Sequence, residues 1–364
     1  MRTLRTIAGW IGVAVLVSTP GLASAKKQQF VYVHDRQDGG GIYAWSMDKH
    51  GGITSIAGSP FPLVDPGGIC GGNCQTMAYS PKRKTLYTGG PSGVSAWTVN
   101  KDGTLTSVPG SPFSPGVGSD FLGTGVVEVG KRVFVYSASF DDGNVYAWEA
   151  NDDGSLTELA ASPFPSGTGP DGLAVRKKFV FVANESDGSL SSFVAGKDGT
   201  LVPSPTSPFF PPNVDFFWNT SPDVKGKVLY VDDGANGIRA FAVDKKTAEL
   251  TQLEGSPFAT DLGGAGVMVS KKFAWSIGFN DPANAFQPFK IVKKGALESQ
   301  GIVGNTPIGF VTFTSDKNAK RMVLAGFDGV ATATLEDKEG RLTGLDIEGF
   351  LVEPNPNAVV MVQR

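Results

Sequence analysis

With 48 glycines and 24 prolines among 364 residues, 40% hydrophobic content and only 18% charged residues, the chain has the composition of many short strands joined by tight turns, which excludes a helical or disordered protein. Its 32 basic and 35 acidic side chains leave a net charge of −3, which excludes a general nucleic-acid binder.

Residues 1–25 read as a secretory signal peptide: Arg2 and Arg5 precede an apolar run from Ile7 to Val17, and Ala23-Ser24-Ala25 forms a small-x-small cleavage site. Cleavage after Ala25 leaves residues 26–364 as a single domain, with periplasmic or secreted localisation as the expectation. No later segment approaches the roughly 18 uninterrupted apolar residues of a membrane helix, so no membrane span is expected. The remaining length exceeds what one core usually serves, but repeats that bury their faces against one another evade that limit.

The first strand-like run, Phe30-Val31-Tyr32-Val33, ends at His34. Beyond it, Cys70-Gly71-Gly72-Asn73-Cys74 has the spacing to close a small disulfide loop in an oxidising compartment. A zinc site would need further soft ligands, and the nearest histidines are His34 and His50. The glycine-rich setting argues against a thiol–disulfide catalyst.

From there the chain repeats. One unit reads Lys131-Arg132-Val133-Phe134-Val135-Tyr136, a turn at Asp141-Asp142-Gly143-Asn144, then Val145-Tyr146-Ala147-Trp148, a second turn at Asn151-Asp152-Asp153-Gly154, then Ser155-Leu156-Thr157 and a tag, Ser162-Pro163-Phe164. The tag recurs with its serine at 59, 111, 207 and 256, and decays to Thr306-Pro307-Ile308. Three runs rich in β-branched and aromatic residues, with Asp-Gly turns between them and a fourth run after the tag, make a four-stranded propeller blade.

Naming the strands A (innermost) to D, the A candidates are Thr76–Ser80, Gly123–Val129, Gly172–Val175, Phe216–Thr220, Gly266–Ser270, Gly309–Phe313 and Asn357–Val362. The fold class is therefore all-β: a seven-bladed β-propeller of four-stranded antiparallel blades. The chain starts on a B strand and finishes on an A strand, so the C-terminal strand is expected to close the first blade and leave no exposed sheet edge. Trp45, Trp97, Trp148, Phe193, Phe241 and Phe289 share one place in the C strand, with Ala333 in the seventh unit. A ring at that place once per blade reads as core between blades rather than as a stacking platform for a ligand.

Phe30-Val31-Tyr32-Val33-His34, Phe179-Val180-Phe181-Val182-Ala183-Asn184 and Val228-Leu229-Tyr230-Val231-Asp232 resemble the YVTN repeat. With Asp-Gly-Thr-Leu at 102–105 and 198–201 and the Gly-Ser-Pro-Phe tags, nearly the whole chain after residue 25 resembles the lactonase-type, 6-phosphogluconolactonase-like seven-bladed propellers. The resemblance implies a site over the central channel, where histidine, arginine and carboxylate groups act on a small anionic lactone. The matching motifs build strands and turns and carry no catalytic set.

Propeller connections divide between two ends of the ring, B–C and D–A on one, A–B and C–D on the other. The first set is rich in carboxylates, with Asp35, Asp142, Glu185, Asp232, Asp233 and Asp281 as candidate ligand-binding groups and Arg36 as the one cation. The A–B turns carry lysine and arginine clusters, making that end basic. An acidic rim repels phosphorylated sugars and suits neutral or cationic ligands. Calcium is a further candidate, since carboxylates and turn carbonyls are hard oxygen ligands.

For an enzyme, His34 is the candidate general base, with Arg36 or Arg239 stabilising a developing oxyanion. The plainer reading pairs Arg239 with a carboxylate of a neighbouring blade. No Gly-x-Ser-x-Gly turn, phosphate-binding loop or dinucleotide fingerprint occurs. Two functions stay open: hydrolysis or isomerisation of a small non-phosphorylated lactone, or a non-catalytic propeller that holds a small molecule or an envelope protein or glycan. The chain is expected to act as a monomer.

Overall fold

The computed structural model describes residues 28–35, 41–63, 77–217, 220–222, 226–262, 264–278, 286–301, 310–315, 321–326, 329–335, 340, 342–349 and 356–363. Residues 1–25, read above as a signal peptide, and Arg36, Cys70, Cys74 and Asp281 lie outside the described residues.

The described strands form seven antiparallel sheets, each running from an inner A strand to an outer D strand, which has three residues in blades 1 to 6 and spans Leu342–Gly349 in blade 7. Blade 1 takes its B, C and D strands from Gln29–Asp35, Gly41–Met47 and Ile53–Ser55, and its inner strand from Pro356–Gln363. The inner strands of the others are Met77–Ser80, Phe121–Val129, Pro170–Arg176, Thr220–Pro222, Gly264–Val269 and Phe310–Ser315. Each inner strand packs on that of the next sheet, and Pro356–Gln363 packs on both Phe310–Ser315 and Met77–Ser80, which closes the ring. One boundary departs from the sequence reading. In the run expected as a strand from Phe216, neither Phe216 nor Phe217 is strand; the inner strand described is Thr220–Pro222, and Phe217 is buried in the core from the connecting segment.

The core lies between blades. Trp97 of blade 2 packs with Phe30 and Tyr32 of blade 1, Trp148 with Tyr87, Phe193 with Phe134 and Tyr136, and Phe241 with Phe181. All six C-strand rings are 4% exposed or less, so they are core and not a stacking platform. Full burial of each such side chain stabilises the fold by about 1.5–3 kcal/mol.

A hydrogen bond repeats at the same seams. The B-strand hydroxyls of Tyr32, Tyr87, Tyr136 and Tyr230 donate to the carbonyls of Gly103, Gly154, Gly199 and Gly295, each in the C–D turn of the following blade. Trp275 Nε1 donates to Gly340 in the same way, and at the closing seam Thr332 Oγ1 donates to Gly51. The turn residue must be glycine at Gly103: its φ is +87°, and a Cβ there would meet the Phe30 ring at 2.5 Å. Where blade 4 meets blade 5 the B strand has Phe181, and the following C–D turn is longer, with Ala248 at φ +61°.

The recurrent tag is structural. The hydroxyls of Ser59, Ser111, Ser162, Ser207 and Ser256 accept from the backbone N–H of Ala44, Ala96, Ala147, Ser192 and Ala240, each one residue before the C-strand ring. The five Ser-Pro bonds are cis, and the phenylalanine that follows pairs with the start of the C strand, as Phe164 does with Val145. The D strand and the tag thus cover two stretches of one C strand, which blunts the outer edge of each blade.

Candidate functional site

The acidic rim is built from the ends of the B strands. Counting from the B-strand residue opposite each C-strand ring, the third and fourth residues on are His34-Asp35 in blade 1, Gly89-Gly90 in blade 2, Ala138-Ser139 in blade 3, Ala183-Asn184 in blade 4 and Asp232-Asp233 in blade 5, where the strand itself ends at Asp232. The first of each pair lies on the same strand face as the seam tyrosine, toward the next blade. In blade 2 a side chain cannot fit there, since a Cβ on Gly89 would stand 2.2 Å from the Phe121 carbonyl oxygen. Blades 1 and 5 alone among these place titratable groups at both positions.

The second position and the loop after it clasp the D–A connection of the same blade. Ser139 Oγ meets Ser119 Oγ at 2.5 Å, and Asp141 accepts from the Asp120 N–H. Asn184 accepts from Ser166 Oγ and donates to Ser189 and Ser191, while Asp187 accepts from the Thr168 N–H at 2.7 Å. Asp233 accepts from the Asp215 N–H, and Asp215 accepts in return from the Ala235 N–H. In blade 6 the C-strand Gln287 exchanges hydrogen bonds with Asp261. Much of the rim's carboxylate content therefore satisfies backbone donors of adjoining loops. Asp-Gly turns were visible in the sequence; their docking onto the preceding loop was not.

Arg239 is 2% exposed, and each nitrogen of its guanidinium makes a hydrogen bond. It donates to Asp233 Oδ2, to the Asn213 carbonyl at 2.7 Å and to Gln252 Oε1 at 3.4 Å. The sequence reading of a carboxylate from a neighbouring blade is corrected: Asp233 belongs to the B–C connection of Arg239's own blade. A side chain so held anchors the loop at Asn213. Burial pushes the Asp233 carboxyl up, and the Arg239 hydrogen bond opposes that shift.

Asp232, fully buried beside this pair, is different. Burial, opposed by N–H donors from Gly234 and Gly266 and reinforced by the Asp233 charge, raises its carboxyl to about 8. Oδ1 accepts from Gly234 at 3.2 Å, whereas Oδ2 has no hydrogen-bond partner among the described residues. Ser276 Oγ, in the B strand of blade 6, is also buried and unpartnered among them.

His34 and Asp35 sit at a bulge in the pairing of blade 1 with its closing strand, at 6% and 3% exposure. Burial, with a contribution from Asp35, raises the neighbouring Tyr43 hydroxyl. Asp142 is exposed and accepts from Tyr146 Oη at 2.7 Å and the Asn144 N–H, so it braces its own turn. Glu185 is half-buried, and its backbone N–H donates to the Gly169 carbonyl. The described candidate residues are thus spread around the ring, with His34 and Asp35 adjacent in blade 1 and Asp232, Asp233 and Arg239 gathered in blade 5.

Among the described residues no group of three or more His, Cys, Asp or Glu is placed to hold a metal, and no helix is long and apolar enough to cross a membrane. Arg239 is the only described cation on this rim.

Residues 126–266, from the inner strand of blade 3 to that of blade 6, match the family model described as lactonase, 7-bladed beta-propeller. Across solved structures, a candidate 6-phosphogluconolactonase of Bacteroides uniformis is 17% identical, covering 92% of this chain and 99% of its own, with a TM-score of 0.69. A second one, from Bacteroides fragilis, is 17% identical over 93% of this chain and 99% of its own, also at 0.69. The periplasmic gluconolactonase of Pseudomonas aeruginosa is 14% identical over 92% and 99%, at 0.67. No curated protein sequence matches the chain. At these identities the structures establish the fold, and together with the family match over blades 3 to 6 they support a lactonase-type β-propeller.

Proposed function

We propose that this protein is an exported seven-bladed lactonase-type propeller that hydrolyses or isomerises a small, non-phosphorylated lactone at the acidic rim. The observation that carries the substrate class is the state of Arg239, the only described cation on that rim, which is buried and held by Asp233. A phosphate ester would meet carboxylates with no free described counter-charge. The similar structure from Pseudomonas aeruginosa is named as a periplasmic gluconolactonase, without a phosphate.

In this reading His34 serves as general base, because imidazole is neutral and basic near operating pH, and it stands at the strand position that Asp232 occupies in blade 5. Asp232, a neutral acid below about pH 8, supplies a proton-bearing carboxyl on the same ring level. The test is turnover of a panel of aldonolactones, with and without a phosphate, by the wild type, His34→Ala and Asp232→Asn. Selective turnover of unphosphorylated lactones that falls at least about a hundredfold in His34→Ala supports the reading. Preference for phosphorylated lactones, or wild-type rates in both variants, overturns it.

A second reading, a non-catalytic propeller for a small molecule or an envelope protein or glycan, is favoured by the clasps at Asp141, Asp187, Asp215 and Asp233, which engage carboxylates that catalysis would need free. Absence of turnover on every lactone, with a ligand that raises Tm, distinguishes it.

A further inference from the structure

The end of the ring opposite the acidic rim is formed by the A–B and C–D turns, and its charge is unevenly distributed. On blades 2 and 3 three cations are joined to anions, Lys82 at 3.4 Å from Glu128, Arg83 at 2.8 Å from Asp152 and Arg132 at 2.6 Å from Glu149, while Lys84, Lys101 and Lys131 stand singly with no ion pair among the described residues. Asp102 and Asp153, and Asp198 in blade 4, fold onto their own turns, each accepting from a threonine or serine two residues on.

Blades 4 to 6 differ. Their A–B turns present Lys177-Lys178 and Lys271-Lys272, all exposed. The C–D turn of blade 5 adds Lys245 and Lys246, and that of blade 6 adds Lys293 and Lys294, again all exposed. None of these eight forms an ion pair among the described residues, and Asp244, the carboxylate nearest in sequence to one pair, accepts from the N–H groups of Lys246 and Thr247.

We propose that this lysine crescent docks the protein on an anionic phospholipid surface. The partner's chemistry follows from three features. The cations stand on short, hydrogen-bonded turns at one end of a rigid ring, so they meet a broad surface and not a small enclosed anion. All eight are lysines, point charges without the planar fork that arginine brings to fixed carboxylate or phosphate partners, which suits many mobile headgroups. The four turns expose no aromatic ring on which a base or sugar could stack. Docking there leaves the acidic rim facing away from the bilayer.

Flotation of the protein with phosphatidylcholine vesicles, with and without phosphatidylglycerol, tests this at roughly 0.05 M and roughly 0.5 M salt. Binding is expected only with the anionic lipid and only at low salt. The double reversal Lys271→Glu/Lys272→Glu should weaken it at least about tenfold, and Lys101→Glu/Lys131→Glu, an equal charge change on blades 2 and 3, should leave it nearly unchanged. Lys271→Arg/Lys272→Arg should restore binding, which separates lost charge from lost folding. Equal weakening by both reversals, binding to neutral vesicles, or retention by an acidic polysaccharide or protein without vesicle binding overturns the proposal.

Discussion

Tyr136 and Gly199, 63 residues apart, are joined across a blade seam by a 2.8 Å hydrogen bond from phenol to carbonyl. The same bond, at other seams, ties most neighbouring blades, so the register of one sheet on the next is fixed by a polar contact inside an apolar core. Tyr136→Phe leaves the buried Gly199 carbonyl unpaired and should cost about 1–3 kcal/mol in urea unfolding. Tyr87→Phe, whose bond to Gly154 is longer at 3.2 Å, should cost less. Equal stability of Tyr136→Phe and wild type would show that apolar packing alone sets the seam.

Replacing Arg239 with methionine removes the partner of a wholly buried carboxylate and frees the Asn213 carbonyl. The expected destabilisation is about 3–5 kcal/mol. The double variant Asp233→Asn/Arg239→Met should recover part of it, because asparagine still accepts from the Asp215 N–H and carries no charge. A double variant no more stable than Arg239→Met would place the cost in lost packing.

Asp232 makes stability depend on pH in a stated direction. Its folded carboxyl titrates near 8, above the ordinary range, so the folded state binds the proton more tightly than the unfolded one. Stability from this group is complete below the unfolded value of about 4 and is lost as pH rises toward 8. Denaturant unfolding across that window should show wild type losing stability relative to Asp232→Asn as pH increases. Parallel curves would remove the buried proton from the account.

Deleting residues 355–364 removes the inner strand of blade 1, whose Val359, Val360 and Met361 pair with Val33, Tyr32 and Val31. The truncated protein is expected to lack near-ultraviolet circular dichroism and a cooperative melt. A cooperative transition near the wild-type Tm would show that the ring tolerates an open seam.

The blades were legible because their elements are local. Alternating aliphatic and aromatic runs, Asp-Gly turns and the Ser-Pro-Phe tags each declare a strand or turn within a few residues, and the tag's serine performs the same backbone contact five times. The inner strand of blade 5 was misplaced since Phe216 and Phe217 look like strand, whereas the fold uses Phe217 as a loop-borne core residue. Nor could the rim be read. An aspartate in a turn looks alike whether it faces water, as Asp142 does, or clasps a loop, as Asp233 does. The partner of Arg239 was six residues away in sequence, yet the pair forms only because the C strand doubles back beside the B–C connection.

Gln29 lies opposite Gln363, so nearly the entire length of the protein separates two strands that share one sheet. During synthesis, blades 2 to 7 can form in order as they emerge, but blade 1 waits as three strands with a bare inner edge until residues 356–363 arrive. Without that strand the sheets would make an open arc, and its pairing with Gln29–Asp35 is the contact that joins the two ends of the chain into a ring.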